Sequence, residues 1–285
     1  MAIADDFQDD APVEAPPGVM NAKSICDPLT EVIDPARAIF EKWSKIPACE
    51  VVEHVNNMRD RAYEVFRMPH IGLYGFLNIN LLDFDCYPEI LESIKKGALF
   101  LDLGCGFGQE VRQVVLDGGP PANIFGADLS NDLMDFGHEL FLDKEKLGVR
   151  FVQSDIFDHQ STLRLEFRGR FQVIHASNFF HVWPWATTIE VAKYVLDQLS
   201  DKPGSVILGT QVGTKKAKNV RFPHVNKSAF FHSTETWKKL WAVVAQEMAI
   251  QLDVQATESD FTDQDKNDWP EELEFVRLRF VIRRV

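Results

Sequence analysis

The chain has 285 residues, of which 45% are hydrophobic and 26% charged, and its 30 basic and 43 acidic side chains give a formal net charge of −13. This acidic balance argues against a broad phosphate-binding surface, so nucleic acid is not an expected partner. The sequence has no run of about eighteen or more apolar residues and starts with an acidic stretch, so neither a membrane span nor a secretory signal is predicted.

The N-terminal third is predicted to be a tail followed by a helical extension. Residues 1–28 are rich in aspartate and proline and poor in large apolar residues, which predicts a disordered acidic tail. Residues 29–97 carry apolar side chains at helical spacing. Four helical segments are predicted there, at residues 35–43, 51–66, 71–82 and 87–96.

The remainder, residues 98–285, alternates between short apolar runs and helical patterns, which predicts an α/β domain with a parallel sheet. Strands are predicted near residues 99–103, 122–129, 149–152, 171–176, 204–211, 249–256 and 274–283, and helices near residues 109–116, 184–199 and 234–248. Residues 213–232 are polar and basic without helical periodicity. We interpret this segment as an inserted loop or hairpin that could cover a substrate.

A glycine-rich turn follows the first predicted strand, at Gly104, Gly106 and Gly108. A strand, a glycine turn and a helix form a nucleotide site, because the turn leaves room and the helix N-terminus offers free N–H groups. The single-residue spacing differs from the Gly-x-Gly-x-x-Gly fingerprint of dinucleotide sites. Asp102, beside the turn, would repel a phosphate and attract an ammonium group. The turn therefore favours a cationic cofactor.

Acidic residues also follow the next two predicted strands. Asp128 lies about twenty residues beyond the turn, where an acid can bind ribose hydroxyls. Asp155 follows the third strand. Each has a simpler interpretation, since Asp128 could cap a helix beginning near Ser130 and Asp155 could form a turn. Together, acids after successive strands fit one ligand better than independent caps.

With Asp102 and the three glycines in place, the chain resembles the class I S-adenosylmethionine-dependent methyltransferases, whose first motif is Asp/Glu-x-Gly-x-Gly-x-Gly. The resemblance implies a Rossmann-like fold with a seven-stranded, mostly parallel sheet, an antiparallel last strand, and helices on both faces. It implies S-adenosylmethionine as cofactor, with Asp155 accepting from the adenine amine and Ile156 packing on the ring. The implied cofactor-binding residues are Asp102, Gly104, Cys105, Gly106, Gly108, Asp128, Leu129, Ser154, Asp155, Ile156, Ser177 and Asn178.

A narrower resemblance rests on residues 102–109, 126–129, 154–157 and 180–183 and on the helical extension. These are similar to fungal small-molecule methyltransferases of polyketide and meroterpenoid pathways, several of which make methyl esters. In such enzymes the helical extension commonly covers the cofactor site. The resemblance implies O-methylation of a secondary metabolite, with a carboxylate favoured as acceptor and His181 and Trp183 as catalytic residues.

The role of His181 depends on the acceptor. A phenol, with a pKa near ~10, profits from a base, and His181 could serve as that base. A carboxylate, with a pKa near ~4, is already ionised, so His181 and Trp183 would orient its oxygens through N–H donors. The sequence leaves both roles open.

Two other classes stay open beside the O-methyltransferase. A nicotinamide-linked oxidoreductase is disfavoured by the glycine spacing, and a non-catalytic, methyltransferase-like regulatory subunit is disfavoured by the intact acidic positions. The expected partner is a small-molecule substrate, without a nucleic acid or membrane, and a homodimer is left open. Four scattered cysteines without metal-ligand spacing predict a reduced, cytoplasmic protein without a metal site.

Overall fold

The computed structural model describes residues 12–14, 25–222, 226–261 and 273–285. The chain divides into two compact units, residues 22–162 and residues 163–285, and residues 1–21 are grouped with the second unit. Most of the predicted acidic tail, residues 1–11 and 15–24, lies outside the described residues. The predicted domain boundary near residue 98 stays a prediction.

Ten strands are present in the described part of the chain. They are β1 (Val13–Glu14), β2 (Phe100–Leu103), β3 (Ile124–Asp128), β4 (Arg150–Gln153), β5 (Val173–His175), β6 (Val206–Thr214), β7 (Lys218–Phe222), β8 (Lys227–Phe231), β9 (Leu252–Ser259) and β10 (Phe275–Arg284). Seven of them form a sheet in the order β4-β3-β2-β5-β6-β10-β9. β10 runs antiparallel to both of its neighbours. The predicted Rossmann-like fold, with a mostly parallel sheet and an antiparallel last strand, is confirmed.

The described α-helices number nine. They are α1 (Ala36–Ala38), α2 (Val51–Val65), α3 (Pro69–Gly72), α4 (Tyr87–Lys95), α5 (Gln109–Leu116), α6 (Asn131–Phe141), α7 (Thr162–Glu166), α8 (Trp185–Gln198) and α9 (Thr234–Glu247). Among them, none combines the length and the apolar character that crossing a lipid bilayer requires.

The single helix predicted over residues 71–82 is wrong. The chain forms α3 and then two short 3-10 helices, Gly75–Leu77 and Asn80–Asp83. Tyr74 adopts a left-handed backbone conformation with φ of 57°, which interrupts the helical path. The Glu110 carboxylate of α5 accepts from backbone N–H groups of the second 3-10 helix. Hydrophobic periodicity does not reveal this tertiary contact.

In the unit of residues 22–162, β2, β3 and β4 pair in parallel register. β2 is buried along its whole length, as the apolar run predicted. Helix α2 buries Val51, Val55, Met58 and Ala62, which recur every three or four residues along one face. These side chains share a hydrophobic core with Phe107 and with residues of α6. The helical extension is therefore packed onto the region around the glycine turn.

In the unit of residues 163–285, β6 and β10 pair over nine residues, from Val206↔Arg283 to Thr214↔Phe275. The core of this unit is aromatic, with Phe180 and Trp237 in ring contact at 5.2 Å. β7 and β8 pair antiparallel, so the basic 213–232 segment contains a hairpin, although residues 223–225 lie outside the described part. β1 adds to β7 in parallel and completes a second, three-stranded sheet.

Candidate active site

The glycine turn connects β2 to α5 and is fixed to the end of β3. The backbone N–H groups of Gly104 and Cys105 both donate to the carbonyl oxygen of Ala127, at 2.8 and 3.0 Å. Gly108 donates to the carbonyl of Cys105 at 2.7 Å and forms the N-cap of α5. Because Gly108 has a φ of 72°, a side chain there would strain the backbone. The turn is thus a tight structure that requires glycine.

Gly106 presents an open stretch of backbone. Its φ is 53°, and a Cβ built at this position would meet no other atom within 4 Å. The absence of a side chain leaves this space open, so a ligand can approach the backbone closely. Its N–H donates to Oδ2 of Asp128 at 2.9 Å. This combination supports the prediction of a ligand-binding turn.

Asp128 lies at the end of β3 and is half-buried. Its Oδ1 accepts from the N–H of Ser130, the N-cap residue of α6, at 3.1 Å. Burial raises the pKa of the Asp128 carboxyl, and backbone hydrogen bonds from Gly106, Ser130 and Leu129 oppose that rise. An ionised carboxylate has about four acceptor sites, so these three bonds leave room for a ribose hydroxyl. Asp128 therefore orders the local backbone and can also bind a ligand.

The segment after β4 offers a buried hydroxyl and exposed apolar side chains. Ser154 is buried, and its Oγ has no hydrogen-bond partner among the described residues. Asp155 accepts from the N–H of Phe157 at 2.9 Å, so it does form the turn that the simpler interpretation required. Leu129 is 64% exposed and Ile156 is half-buried. A buried polar atom beside apolar side chains fits an adenine ring.

Two carboxylates, those of Asp102 and Asp128, act on the turn, and the Arg112 guanidinium that also reaches it is paired with Asp143. Asp102 is buried in β2. Burial raises the pKa of the Cys105 thiol well above its ordinary value, and the negative charges of Asp102 and Asp128 raise it further. The thiol stays protonated, and two carboxylates act on the same small region. Such a field favours a cationic ligand and disfavours pyrophosphate.

Two buried charged residues of α5 were not predicted from the sequence, and one of them contacts the turn. Glu110 is buried and accepts from the backbone N–H groups of Asn80 and Leu81, at 2.6 and 3.2 Å. Arg112 is fully buried and donates to the carbonyl of Phe107 at 2.6 Å. Both residues lie in α5, and no local sequence pattern showed that their charged side chains are buried.

In the unit of residues 163–285, the segment after β5 carries Ser177 and Asn178. Ser177 Oγ lies 2.7 Å from Nε2 of His175 and accepts from the backbone N–H of Thr210 at 3.0 Å. Asn178 adopts a φ of 51°, donates its backbone N–H to the Thr210 carbonyl at 2.6 Å, and exposes its side chain. Because the Ser177 hydroxyl already has protein partners, the Asn178 side chain is better placed to meet a ligand.

His181 lies in the 3-10 helix Phe180–Val182, and Trp183 follows that helix. Both side chains are half-buried. The His181 ring is 6.3 Å from that of Phe231 in β8, and the backbone N–H of Phe230 donates to the Trp183 carbonyl at 3.0 Å. The basic hairpin is thus joined to the segment that carries the predicted catalytic residues.

The described residues contain no group of histidine, cysteine or acidic side chains arranged to hold a metal ion. The predicted site residues fall into two sets. One unit carries Asp102, Gly104, Cys105, Gly106, Gly108, Asp128, Leu129, Ser154, Asp155 and Ile156, and the other carries Ser177, Asn178, His181 and Trp183.

Comparisons with known proteins match both regions of the chain. A family model described as "Meroterpenoid methyltransferase N-terminal domain" matches residues 25–77, and one described as "Methyltransferase domain" matches residues 100–201. Methyltransferase adrK of Penicillium roqueforti is 40% identical over 237 residues, covering 81% of this chain and 84% of the relative. Asnovolin E/Chermesin D methyltransferase nvfJ of Aspergillus novofumigatus is 39% identical, covering 80% and 82%. O-methyltransferase phiE of a fungal species is 39% identical, covering 80% and 76%.

Solved structures show the same fold. A Burkholderia thailandensis 1,6-didemethyltoxoflavin-N1-methyltransferase, solved with its substrate and S-adenosylhomocysteine, aligns with a TM-score of 0.50 at 13% identity. The alignment covers 84% of this chain and 92% of that one. The CurJ carbon methyltransferase aligns with a TM-score of 0.50 at 16% identity, over 88% of this chain and 68% of that one.

The sheet order, the glycine turn and the strand-end acids define a class I methyltransferase. The chain belongs to the family of meroterpenoid methyltransferases, whose relatives here are fungal. The predicted family and its cofactor, S-adenosylmethionine, are confirmed.

Proposed function

We propose that this protein transfers the methyl group of S-adenosylmethionine to a carboxylate oxygen of a small meroterpenoid acceptor and so forms a methyl ester. The observation that carries the proposal is the basic hairpin joined to Trp183. Residues 215–227 contain five lysine or arginine side chains and no acidic one, in a chain whose net charge is −13. A relative named as an O-methyltransferase is 39% identical to this chain, which supports transfer to oxygen.

The cofactor is held, in this proposal, by the residues that follow β2, β3 and β4. Asp128 accepts from a ribose hydroxyl with the lone pair that the backbone N–H groups of Gly106, Leu129 and Ser130 leave open. Asp102 supplies a negative charge for the α-ammonium group. Leu129 packs its exposed side chain on the adenine ring.

The remaining adenine contacts come from the segment after β4. The buried Ser154 hydroxyl gains the hydrogen-bond partner that it lacks among the described residues. Asp155 accepts from the exocyclic amine, since only one of its acceptor sites is occupied by the Phe157 N–H. Ile156 packs on the ring.

S-adenosylmethionine supplies a methyl group bound to a positively charged sulfur. The neutral thioether that forms when the methyl group is transferred is an excellent leaving group. The protein therefore contributes mainly alignment and exclusion of water. His181 and Trp183 donate N–H groups to the acceptor carboxylate and orient one oxygen for in-line attack. No base is needed, because a carboxyl with a pKa near ~4 is ionised at neutral pH.

The aromatic residues at His181 and the exposed lysines of the basic segment suit an apolar acceptor with an anionic end. Phe179 and Trp183 are in ring contact at 5.2 Å, and Phe231 lies against His181. Lys216 and Lys227 are exposed on the basic segment. Aromatic surfaces pack on a terpenoid skeleton, and the positive charges attract its carboxylate.

The test uses S-adenosylmethionine labelled in its methyl group and a panel of meroterpenoid carboxylic acids and phenols. We expect labelled product from the acids, and mild alkaline hydrolysis should release the label as methanol. A label that survives hydrolysis would show a phenol ether or a C-methyl product and would overturn the carboxylate assignment. Cofactor binding without any transfer would favour the regulatory alternative.

Charge reversal on the basic segment tests acceptor recognition separately. Lys216→Glu/Lys227→Glu should raise KM for an acidic acceptor, more at low than at high ionic strength, with kcat little changed. The matched control is Lys202→Glu/Lys238→Glu, which changes the net charge equally at exposed positions elsewhere in the same unit. Equal effects of the two pairs would contradict a local role for the segment.

A further inference from the structure

A buried ion pair lies behind the glycine turn, within the unit of residues 22–162. Arg112 extends from α5 and Asp143 follows α6, and both side chains are fully buried. Nε of Arg112 lies 2.7 Å from Oδ2 of Asp143, and Nη2 lies 2.8 Å from Oδ1. A two-bond contact of this kind fixes orientation as well as distance. The guanidinium is therefore held in one position.

The same guanidinium reaches the glycine turn. Nη1 of Arg112 donates to the carbonyl oxygens of Phe107 and Gly108, at 2.6 and 2.9 Å. The ring of Phe141 lies 4.4 Å from the guanidinium carbon and closes the other side. A Cβ on Gly137 would lie 2.1 Å from the Phe107 carbonyl oxygen, so α6 already contacts the turn. The last two residues of the turn are thus fixed from inside the protein.

Asp143 connects this arrangement to the helical extension. Its Oδ2 also accepts from Nε1 of Trp43 at 2.8 Å, and its Oδ1 lies 2.9 Å from Nδ1 of His138. Trp43 belongs to the segment matched by the N-terminal family model. A continuous set of hydrogen bonds therefore runs from Trp43 through Asp143 and Arg112 to the carbonyls of the turn.

We propose that Arg112 and Asp143 are positioning residues that hold the glycine turn in its cofactor-binding geometry, and that Trp43 makes cofactor affinity depend on the extension. The proposal rests on the proposed function, because it concerns cofactor binding at that turn. A buried ion pair is a poor way to stabilise a fold, since apolar residues of similar volume do as well or better. Apolar residues cannot donate to the carbonyls of Phe107 and Gly108, and this difference makes the proposal testable.

The decisive variant replaces the whole pair with apolar side chains, Arg112→Met/Asp143→Leu. We expect a folded protein with a moderately lower melting temperature, because no buried charge is left unpaired but the Phe107 and Gly108 carbonyls and the Trp43 N–H lose their partners. Affinity for S-adenosylhomocysteine, measured by calorimetry well below the melting temperature, should fall between about tenfold and a hundredfold. A purely structural pair would leave that affinity unchanged.

A second variant keeps the test valid if the double variant does not fold. Trp43→Phe keeps an aromatic side chain, although a smaller one, and removes the N–H that binds Asp143. We expect about fivefold weaker binding of S-adenosylhomocysteine and a slightly lower melting temperature, because the folded protein loses one net hydrogen bond. The control is Arg61→Met, which removes an exposed ion pair with Glu139, 2.6 Å long, between α2 and α6.

The outcomes separate this proposal from the proposed function. Wild-type protein that does not bind S-adenosylhomocysteine would overturn both. If the wild-type protein binds S-adenosylhomocysteine and both Trp43→Phe and the folded double variant bind it equally well, only the positioning role is overturned. Weaker binding in Arg61→Met as well would also overturn it, since any loosening of the extension would then have the same effect.

Discussion

The backbone N–H of Gly106 donates to Oδ2 of Asp128 over 2.9 Å, which fastens the glycine turn after β2 to the end of β3. Gly106, which leaves room for a ligand, is thereby hydrogen-bonded to Asp128, whose carboxylate can accept from the ligand's hydroxyls. The same carboxylate also accepts from the N–H of Ser130, the N-cap residue of α6. Asp128 therefore links the glycine turn, the end of β3 and the start of α6.

Removal of that side chain should weaken cofactor binding. Asp128→Ala is expected to cost about 1–3 kcal/mol of binding free energy for S-adenosylhomocysteine, since the ribose hydroxyls and the Gly106 N–H lose their acceptor. Calorimetric titration measures the change. Asp132→Ala, at an exposed acid in the first turn of α6, is the control. An unchanged dissociation constant in Asp128→Ala would rule out the ribose assignment.

Filling the space in front of Gly106 should block the cofactor without unfolding the protein. Gly106→Ala places a methyl group where no other protein atom lies within 4 Å, on a backbone with positive φ. The strain should cost about 1–2 kcal/mol of stability. Binding of S-adenosylhomocysteine should be reduced by far more than that strain explains.

Gly169 offers a matched control for that experiment. It also has a positive φ, 68°, with open space around its Cβ position, and it lies in the other unit. Gly169→Ala should show a similar loss of stability and normal cofactor binding. Equal affinities of the two variants would mean that the space at Gly106 is not used by the cofactor.

His181→Ala should lower turnover and leave cofactor affinity nearly unchanged, because we assign His181 to the acceptor. The expected loss in kcat is at least about tenfold, the cost of imprecise orientation. Steady-state kinetics and cofactor titration give the two numbers, and His159→Ala at an exposed position is the control. If the acceptor is a carboxylate, the wild-type rate should be flat from about pH 6 to 9. A limb rising with pH would point to a phenol and to His181 as its base.

Asp143→Asn should destabilise the protein by about 3–5 kcal/mol at pH 7, because Arg112 is left as a buried, uncompensated charge. Burial alone would raise the pKa of the Asp143 carboxyl. Hydrogen bonds from His138, Arg112 and Trp43, together with the positive charge of Arg112, outweigh this effect. They hold the pKa of Asp143 well below its usual range. A lowered folded-state pKa stabilises the protein above the unfolded value of about 3.9, and this contribution is lost as the pH falls further.

The measurement is urea denaturation of wild type and Asp143→Asn between pH 7 and pH 3. The difference in unfolding free energy should be constant from pH 7 to about pH 5 and should shrink below about pH 4. A difference that stays the same down to pH 3 would contradict the role assigned to the ionised carboxylate.

Local patterns were sufficient to predict the glycine turn and the strand-end acid Asp128. The apolar run of β2, the three glycines and Asp128 lie in short segments whose residue types fix their conformation. Parallel pairing of β2 with β3 brings the glycine turn and Asp128 to one edge, because parallel strands end on the same side of a sheet. This geometry follows from sequence order alone.

Long-range contacts explain what the sequence did not reveal. Arg112 and Asp143 are 31 positions apart, and nothing in their neighbourhoods shows that both are buried. The Ser177 hydroxyl contacts His175 and also Thr210, which lies 33 positions away, and the sequence did not reveal these contacts. The cofactor-binding role of Ser177 stays a prediction. The helix predicted over residues 71–82 is broken because Tyr74 turns left-handed, although its apolar periodicity continues. In each case tertiary packing decided the outcome.

Calorimetric titration of the wild-type protein with S-adenosylhomocysteine, and in parallel with NAD, tests the central claim most directly. The account predicts saturable binding of S-adenosylhomocysteine at one site per chain, abolished or strongly weakened by Gly106→Ala, and no binding of NAD. Binding of NAD in preference, or S-adenosylhomocysteine binding that Gly106→Ala and Asp128→Ala leave intact, would contradict it.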